Sequence, residues 1–502
     1  MTASGTGELV GDLLDRASEA HGERPALVHG DERLTYAALR ERVDGVAGAL
    51  AARGLGPGDP IAIVLPNVPA FAVAFFAVAR LGGIVVPLNT QFKEAELDFA
   101  FRDSGVRAVI TDARREAACG SVVAGWDASV QLFTADALAA LANGSPRGEI
   151  SAQDRRGDDD MVFQYSSGST GRPKRVPRTH RQLRAEADSI VATEALTPDE
   201  VIFATIPLHH TYGMGCCLLA AVRSGAALVL FEDPHPFVLT REHALSIIER
   251  ERVTVFPAVP FTFRLLAEAP GTAEVGSVRL WFSAANALPR STFDAFGTRF
   301  GAAVRQLYGC TEAGAVTINA DEDPWGTAAS VGRPMRDVEV VVLGPEGETL
   351  EAGRIGEIAI RSPAMTRGYA GMEALNRQAF SGGFFLSGDR GRLDEEGRLF
   401  ITGRTKLLID VKGDKVDPIE VEDVLAVHPK VREVVVVGVR SGVEGEELVK
   451  AVVVPEGPCQ ERELVRYCRE RLADYKVPQT VEFLDEIRKS PAGKVLRKYL
   501  VE

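Results

Sequence analysis

Met161-Val162-Phe163-Gln164-Tyr165-Ser166-Ser167-Gly168-Ser169-Thr170-Gly171-Arg172-Pro173-Lys174 passes from a short apolar run into a loop of hydroxyl residues and glycines that ends on a proline and a lysine. The run Met161 to Tyr165 has the length and character of a buried strand. After it, Gly168 and Gly171 let backbone N–H groups come close to a ligand, Ser166, Ser167, Ser169 and Thr170 add hydroxyls, and Arg172 and Lys174 add positive charge. Such a loop suits a polyphosphate. The Gly-Lys-Ser/Thr order of a P-loop is missing, so the cradle is of another kind. Taken alone, the same composition also describes a solvated Ser/Gly surface loop.

Upstream, helix-like and strand-like text alternates. Ala37 to Arg53 is rich in Ala and Leu, whereas Pro60 to Leu65 and Ile84 to Pro87 are short apolar runs. That alternation is what a parallel sheet covered by helices requires. The most apolar region, Phe71 to Val86, contains Arg80 and the pair Gly82-Gly83, and falls short of the about 20 residues a membrane span needs. It reads as a buried helix followed by a buried strand. Ala108-Val109-Ile110 and, after Gly225, Ala226 to Phe231 extend the series, and Asn143 to Asp160 reads as a polar loop leading into the phosphate-loop strand.

Downstream, Val338 to Leu343 and Ile355 to Arg361 flank the turn cluster Gly344-Pro345-Glu346-Gly347 and predict a small antiparallel region. Beyond Gly403-Arg404-Thr405-Lys406 the text changes again. Asp417-Pro418 predicts a helix start, with the helix running to about His428, and Val434 to Val439 and Leu448 to Val454 predict strands. The expected class is α/β: a large N-terminal domain of layered α/β sheets plus a small β region, and a small α+β domain over 407–502.

Bulk properties limit the function. A chain of 502 residues exceeds what one core supports, and its 45% hydrophobic and 25% charged residues are those of a folded protein. The formal net charge of -13 opposes nucleic acid as a partner. Cys119, Cys216, Cys217, Cys310, Cys459 and Cys468 show neither Cys-x-x-Cys nor zinc-finger spacing, which suits a reducing compartment. Met1-Thr2-Ala3-Ser4-Gly5 lacks the basic-then-apolar pattern of a secretory signal, so a cytoplasmic protein is expected. No sequence feature speaks to oligomeric state.

The phosphate loop resembles that of the adenylate-forming superfamily, which includes acyl- and aryl-CoA synthetases, luciferases and peptide-synthetase adenylation domains. The resemblance extends over nearly the whole chain. Leu81 to Leu88, Pro207-Leu208-His209-His210-Thr211-Tyr212-Gly213, Tyr308-Gly309-Cys310-Thr311-Glu312, Ser387-Gly388-Asp389, Gly403-Arg404 and Ser490-Pro491-Ala492-Gly493-Lys494 follow in the family's order. This likeness implies activation of a carboxylic acid by ATP as an acyl-adenylate, with Mg2+, and transfer of the acyl group to a thiol, foremost that of CoA. It places a hinge at 404–406, centred on Lys406, between an adenylation domain over 1–403 and a mobile C-terminal domain.

Each site residue carries a role by that likeness. Ser166, Ser167, Gly168, Ser169, Thr170, Gly171 and Lys174 hold phosphates, and Ala284, Ala285, Asn286, Tyr308 and Gly309 form the adenine side. Thr311 lies near the α-phosphate, Glu312 is the Mg2+ ligand, and Asp389 with Arg404 takes the ribose. His210 stands at the mouth of the acid pocket, where it positions the substrate, because a carboxylate is already ionised near neutral pH and needs no general base. Lys494 contacts the carboxylate and the α-phosphate, and Gly413 leaves room for a pantetheine arm. Around the acid, Phe256, Pro257, Ala313 and Gly314 are expected to join Ala284, Ala285, Asn286 and Gly309. Without the likeness, Thr311-Glu312 reads as a helix start, Gly388-Asp389-Arg390-Gly391 and Lys412-Gly413-Asp414 as turns, and the region around Lys494 as a solvated basic end.

The chain departs from the family pattern at Arg175, where glycine is usual, at Ser283-Ala284-Ala285-Asn286, where glycines are usual, and at Arg440 to Glu446. Two other readings stand beside CoA ligation. Pro177-Arg178-Thr179-His180 resembles stand-alone aryl-acid adenylating enzymes, which implies delivery to a carrier-protein phosphopantetheine or a partner enzyme. The departures themselves suit an inactive nucleotide-binding scaffold.

Overall fold

The computed structural model describes residues 9–126, 130–144, 156–166, 173–233, 235, 237–404, 409–411, 414–416, 418–440, 447–472, 474–489 and 495–501. Its contacts divide the chain into two compact units, Met1–Glu339 with Ile360–Phe385, and Val340–Ala359 with Leu386–Glu502.

Two twisted sheets build the first unit. The six-stranded sheet runs Gln131–Thr134, Ala108–Thr111, Pro60–Val64, Ile84–Pro87, Asp160–Ser166, Lys174–Thr179. Its members are parallel except for the last pair, a hairpin. The nine-stranded sheet runs Arg333–Pro334, Gly314–Ile318, Arg305–Cys310, Leu280–Ser283, Val255–Ala258, Val201–Ala204, Ala227–Leu230, Pro25–His29, Glu32–Thr35. Its parallel centre has antiparallel pairs at both edges.

Strand residues are buried on both faces, as a sheet covered by helices demands. Ile61 and Ile63 enter one hydrophobic cluster while Ala62 and Val64 enter another, the period of two expected of a strand. The first cluster also takes Leu27, Ile202 and Leu228 from the nine-stranded sheet, so a shared core joins the two sheets. Helix Pro69–Leu81 lies in that core: proline opens it, Phe71, Phe75 and Phe76 are fully buried, and Gly82 ends it at φ 76°. Each such phenylalanine contributes about 2 to 3 kcal/mol by leaving water.

The expected elements are present with small shifts at their ends. The Ala/Leu-rich segment is helix Tyr36–Ala51, capped by the Thr35 hydroxyl. The segment expected as a loop from Asn143 differs at its start, since residues 143 and 144 close helix Ala135–Gly144, and its end, Asp160, opens the next strand. The small β region is a five-stranded sheet of Glu339–Leu343, Gly356–Arg361, Phe384–Leu393 and Phe380–Ser381, with Leu399–Arg404 paired to Phe384–Leu393.

In the second unit, Val431–Arg440 and Glu447–Pro455 pair antiparallel and Thr480–Phe483 adds parallel to the latter. Helix Pro418–Ala426 packs on the same cluster as helix Glu461–Arg469 through Val421, Leu425 and Leu464. Among the described residues, no helix is long and apolar enough to cross a membrane.

Candidate active site

The hairpin Asp160–Ser166 and Lys174–Thr179 pairs Ser166 with Lys174 and Tyr165 with Arg175, so the two ends of the phosphate loop lie side by side. Ser167, Gly168, Ser169, Thr170 and Gly171 lie outside the described residues. Lys174 is buried, with Nζ 4.7 Å from the ring centroid of Tyr369. Arg175 sits in a regular strand and has no positive φ, so the usual glycine's freedom is not needed there. Its guanidinium turns away onto the Phe163 ring at 4.9 Å and donates to the Asp103 carbonyl.

Thr311, Glu312 and Ala313 form the turn between strands Arg305–Cys310 and Gly314–Ile318, whose Cys310 and Gly314 pair across it. The turn is tight. Gly314 has φ 71°, and a Cβ at Gly309 would lie 2.5 Å from the Gly314 carbonyl oxygen. Glu312 is only 8% exposed; its Oε1 accepts a hydrogen bond from the Tyr369 hydroxyl at 2.8 Å, and its carbonyl accepts the Thr366 N–H at 2.8 Å. Tyr308 and Thr311 are half-buried beside it, and Gly309 is exposed.

A divalent ion here would have one buried carboxylate, for no group of three or more His, Cys, Asp or Glu side chains gathers among the described residues. That donor set fits Mg2+, which takes one or two carboxylates and fills its octahedron with phosphate oxygens and water.

On the adenine side, Ala284 is buried while Ala285 and Asn286 are exposed. Ala285 has φ 73°, a left-handed conformation that glycine adopts freely and that costs an alanine about 1 kcal/mol. The missing glycine is thus met by backbone strain at the same segment. Phe256, expected near the acid, is instead fully buried, with ring contacts to Phe203, Trp281 and Phe263 at 5.5, 5.2 and 5.8 Å. Strand alternation sends its side chain into an aromatic core.

His210 caps the single turn Thr211–Gly213, its Nδ1 accepting the Tyr212 N–H at 3.3 Å. A π-helix, Met214–Leu219, follows at once; such wide turns recur at functional sites. Tyr212 anchors the turn by donating to the carbonyls of Ala258 and Phe282, the ends of two neighbouring strands. Burial and the neighbouring His210 push the pKa of His209 down to about 3, so its imidazole is neutral at working pH.

The run Pro177-Arg178-Thr179-His180 has structural work at each polar residue. Thr179 and Gln182 form a capping box on helix His180–Thr193, and His180 Nδ1 accepts the Val10 N–H at 3.2 Å. Arg178, fully buried, pairs with Glu186 at 2.7 Å. Glu186 in turn accepts the Ala315 N–H at 3.1 Å, three residues past Glu312. This pair and Tyr369 escaped the sequence reading. Arg367-Gly368-Tyr369 has no ordinary loop-motif signal, and only the crossing of distant segments brings the tyrosine to Glu312.

In the second unit Asp389 is buried and faces Arg404 across the antiparallel pair of Phe384–Leu393 and Leu399–Arg404. The Asp389 N–H donates to Ser387 Oγ at 3.1 Å. Lys406, Gly413 and Lys494 lie outside the described residues.

Comparison with known proteins identifies the family. A family model described as AMP-binding enzyme matches residues 14–370, and one described as AMP-binding enzyme C-terminal domain matches residues 420–494. The long-chain-fatty-acid–CoA ligase FadD13 of Mycobacterium tuberculosis is 32% identical over 484 residues, covering 94% of this chain and 93% of that protein. A feruloyl-CoA synthase of Amycolatopsis sp is 33% identical over 488 residues, with 94% of each chain covered. Among solved structures, ATP-bound MatB from Rhodopseudomonas palustris is 29% identical, with 98% of both chains covered and a TM-score of 0.89. With motif order, fold and both family matches in accord, the chain belongs to the AMP-binding enzyme family, the adenylate-forming superfamily.

Proposed function

We propose that the protein is an AMP-forming acid–CoA ligase in which Lys174 and the phosphate loop bind ATP, Glu312 holds its Mg2+, and His210 orients the acid. The observation that carries this reading is the meeting of Lys174, from the hairpin strand, and Glu312, from the turn after Cys310, on one buried tyrosine. The acid's carboxylate oxygen attacks the α-phosphorus and the bond to pyrophosphate breaks, leaving the acyl-adenylate. Carboxylate and triphosphate repel each other, so the step needs positive charge at the α-phosphate. Bound Mg2+ supplies part of it by neutralising phosphate oxygens. Lys494, assigned by resemblance, supplies the rest. In the second step the thiol sulfur attacks the acyl carbonyl, AMP departs, and the thiol proton goes to solvent.

Asp389 and Arg404 are assigned to the ribose and Tyr308 with Ala284, Ala285 and Asn286 to the adenine, on motif position. Gly413 is assigned to the pantetheine path, and the hinge to 404–406. CoA is favoured over a carrier protein because the Pro177 to His180 run is accounted for by capping and ion pairing. A scaffold is disfavoured because Arg175 and Ala285 are both accommodated. The long-chain fatty and feruloyl acids in the relatives' names support a carboxylic acid as the small-molecule substrate, and ATP and CoA use suits a cytoplasmic location.

The test is acid-dependent exchange of labelled pyrophosphate into ATP across a diverse acid panel, followed by supply of CoA. Exchange that requires Mg2+, and an acyl-CoA product, are expected. ATP binding without exchange on any acid would instead support the scaffold, and a thioester on a phosphopantetheinylated carrier but not on CoA would move the acceptor.

A further inference from the structure

We infer that Tyr369 is a positioning residue that sets the geometry of the nucleotide's two charge partners, its hydroxyl orienting Glu312 and its ring seating Lys174. The inference rests on the ATP- and Mg2+-binding reading above and gives a role of its own to the tyrosine on which that reading's two groups meet.

The tyrosine is 5% exposed and touches both groups with different parts of one side chain. Its hydroxyl donates to Glu312 Oε1 at 2.8 Å, and its ring centroid lies 4.7 Å from Lys174 Nζ. With Oε1 so engaged, Oε2 accepts no hydrogen bond from the described residues and is the oxygen left for a metal. A hydrogen bond to the non-ligating oxygen fixes the carboxylate plane, which is how outer partners tune metal sites. The flat ring, in turn, offers a cation a preferred seat.

The backbone around Tyr369 is built to hold it. Asn376 clamps the residue twice, accepting its N–H and donating to its carbonyl, each at 2.8 Å. Gly368 before it has φ 140°, and a Cβ there would lie 2.9 Å from the Asn376 amide. Segment 366–370 is then tied to both catalytic elements. Thr366 donates its N–H to the Glu312 carbonyl and its hydroxyl to the Pro177 carbonyl, and Ala370 donates to the Arg175 carbonyl. Phe380 closes on the ring edge at 5.9 Å.

The two contacts separate by mutation. Tyr369→Phe keeps the ring and removes the hydroxyl; Tyr369→Leu removes both. Equilibrium binding of ATP is measured by calorimetry with and without Mg2+, alongside thermal unfolding. For Tyr369→Phe, metal-free ATP affinity is expected to match wild type while the Mg2+-dependent gain falls about 10-fold, the size of outer-partner effects on metal affinity. For Tyr369→Leu, metal-free ATP affinity falls as well, by about 2- to 10-fold. A merely structural tyrosine would lower the unfolding temperature of both variants without this split. Wild-type Mg2+ dependence in Tyr369→Phe overturns the inference and leaves the ATP reading intact, even if the leucine variant fails to fold. Absence of any Mg2+-dependent ATP affinity in the wild-type protein overturns both.

Discussion

Glu194, the residue that closes helix His180–Thr193, is buried, and among the described residues its Oε1 has no hydrogen-bond partner. Burial pushes its pKa up from 4.5 to about 8, against the pull of Arg279. The folded protein therefore binds a proton that the unfolded chain releases above pH 4.5, and the group's contribution to stability is greatest at low pH. As pH rises from about 4.5 through 8 that contribution is lost, because the carboxylate must then ionise while buried, with the pull of Arg279 offsetting only part of the cost. Denaturant unfolding at pH 5 and pH 8.5 should show the loss in wild type. Glu194→Gln should abolish it and gain about 2 to 4 kcal/mol over wild type at the higher pH, with little change at the lower. Equal pH dependence in the two proteins would remove the group from this account. The glutamate was not apparent from sequence because its neighbours in the chain, Thr193 and Ala195, say nothing of its burial.

At the level of elements, the hairpin strand Lys174–Thr179 and the helix it feeds share one ion pair. Arg178 is fully buried and Glu186 nearly so, and the carboxylate fills space that a Cβ at Gly215 or Gly314 would invade at 2.6 Å. Three segments of the candidate site thus converge on it: the strand after the phosphate loop, the π-helix after His210, and the strand after Glu312. Breaking the pair is costly because it strands one charge inside. Arg178→Ala should destabilise by about 3 to 5 kcal/mol, whereas the double change Arg178→Met with Glu186→Gln should recover part of that loss. A urea double-mutant cycle measures the difference; a zero coupling energy would mean that the contact contributes nothing. Helix His180–Thr193 itself was foreseeable only in part, since the Thr179 and Gln182 box is local whereas the partner of Arg178 is not.

For the whole molecule, the two half-reactions are assigned to different residues of the C-terminal part. Lys494→Ala should reduce adenylation about 100-fold or more in pyrophosphate exchange while sparing transfer from supplied acyl-adenylate. Lys406→Pro should spare exchange and slow thioester formation. Equal loss of both steps in both variants would refute the division. The chain's own text was enough to establish the α/β class, several strand and helix positions and the family, because period-two and helical patterns, glycines at left-handed turns and ordered motifs are all local properties of a sequence. Tyr369 against Glu312 and Lys174, Arg178 against Glu186, the left-handed Ala285 and the turn of Phe256 into an aromatic core became visible only in three dimensions. The physical reason is that a side chain's partner is set by where distant strands cross and by which face of a sheet each residue occupies, and neither is written in the residues next to it.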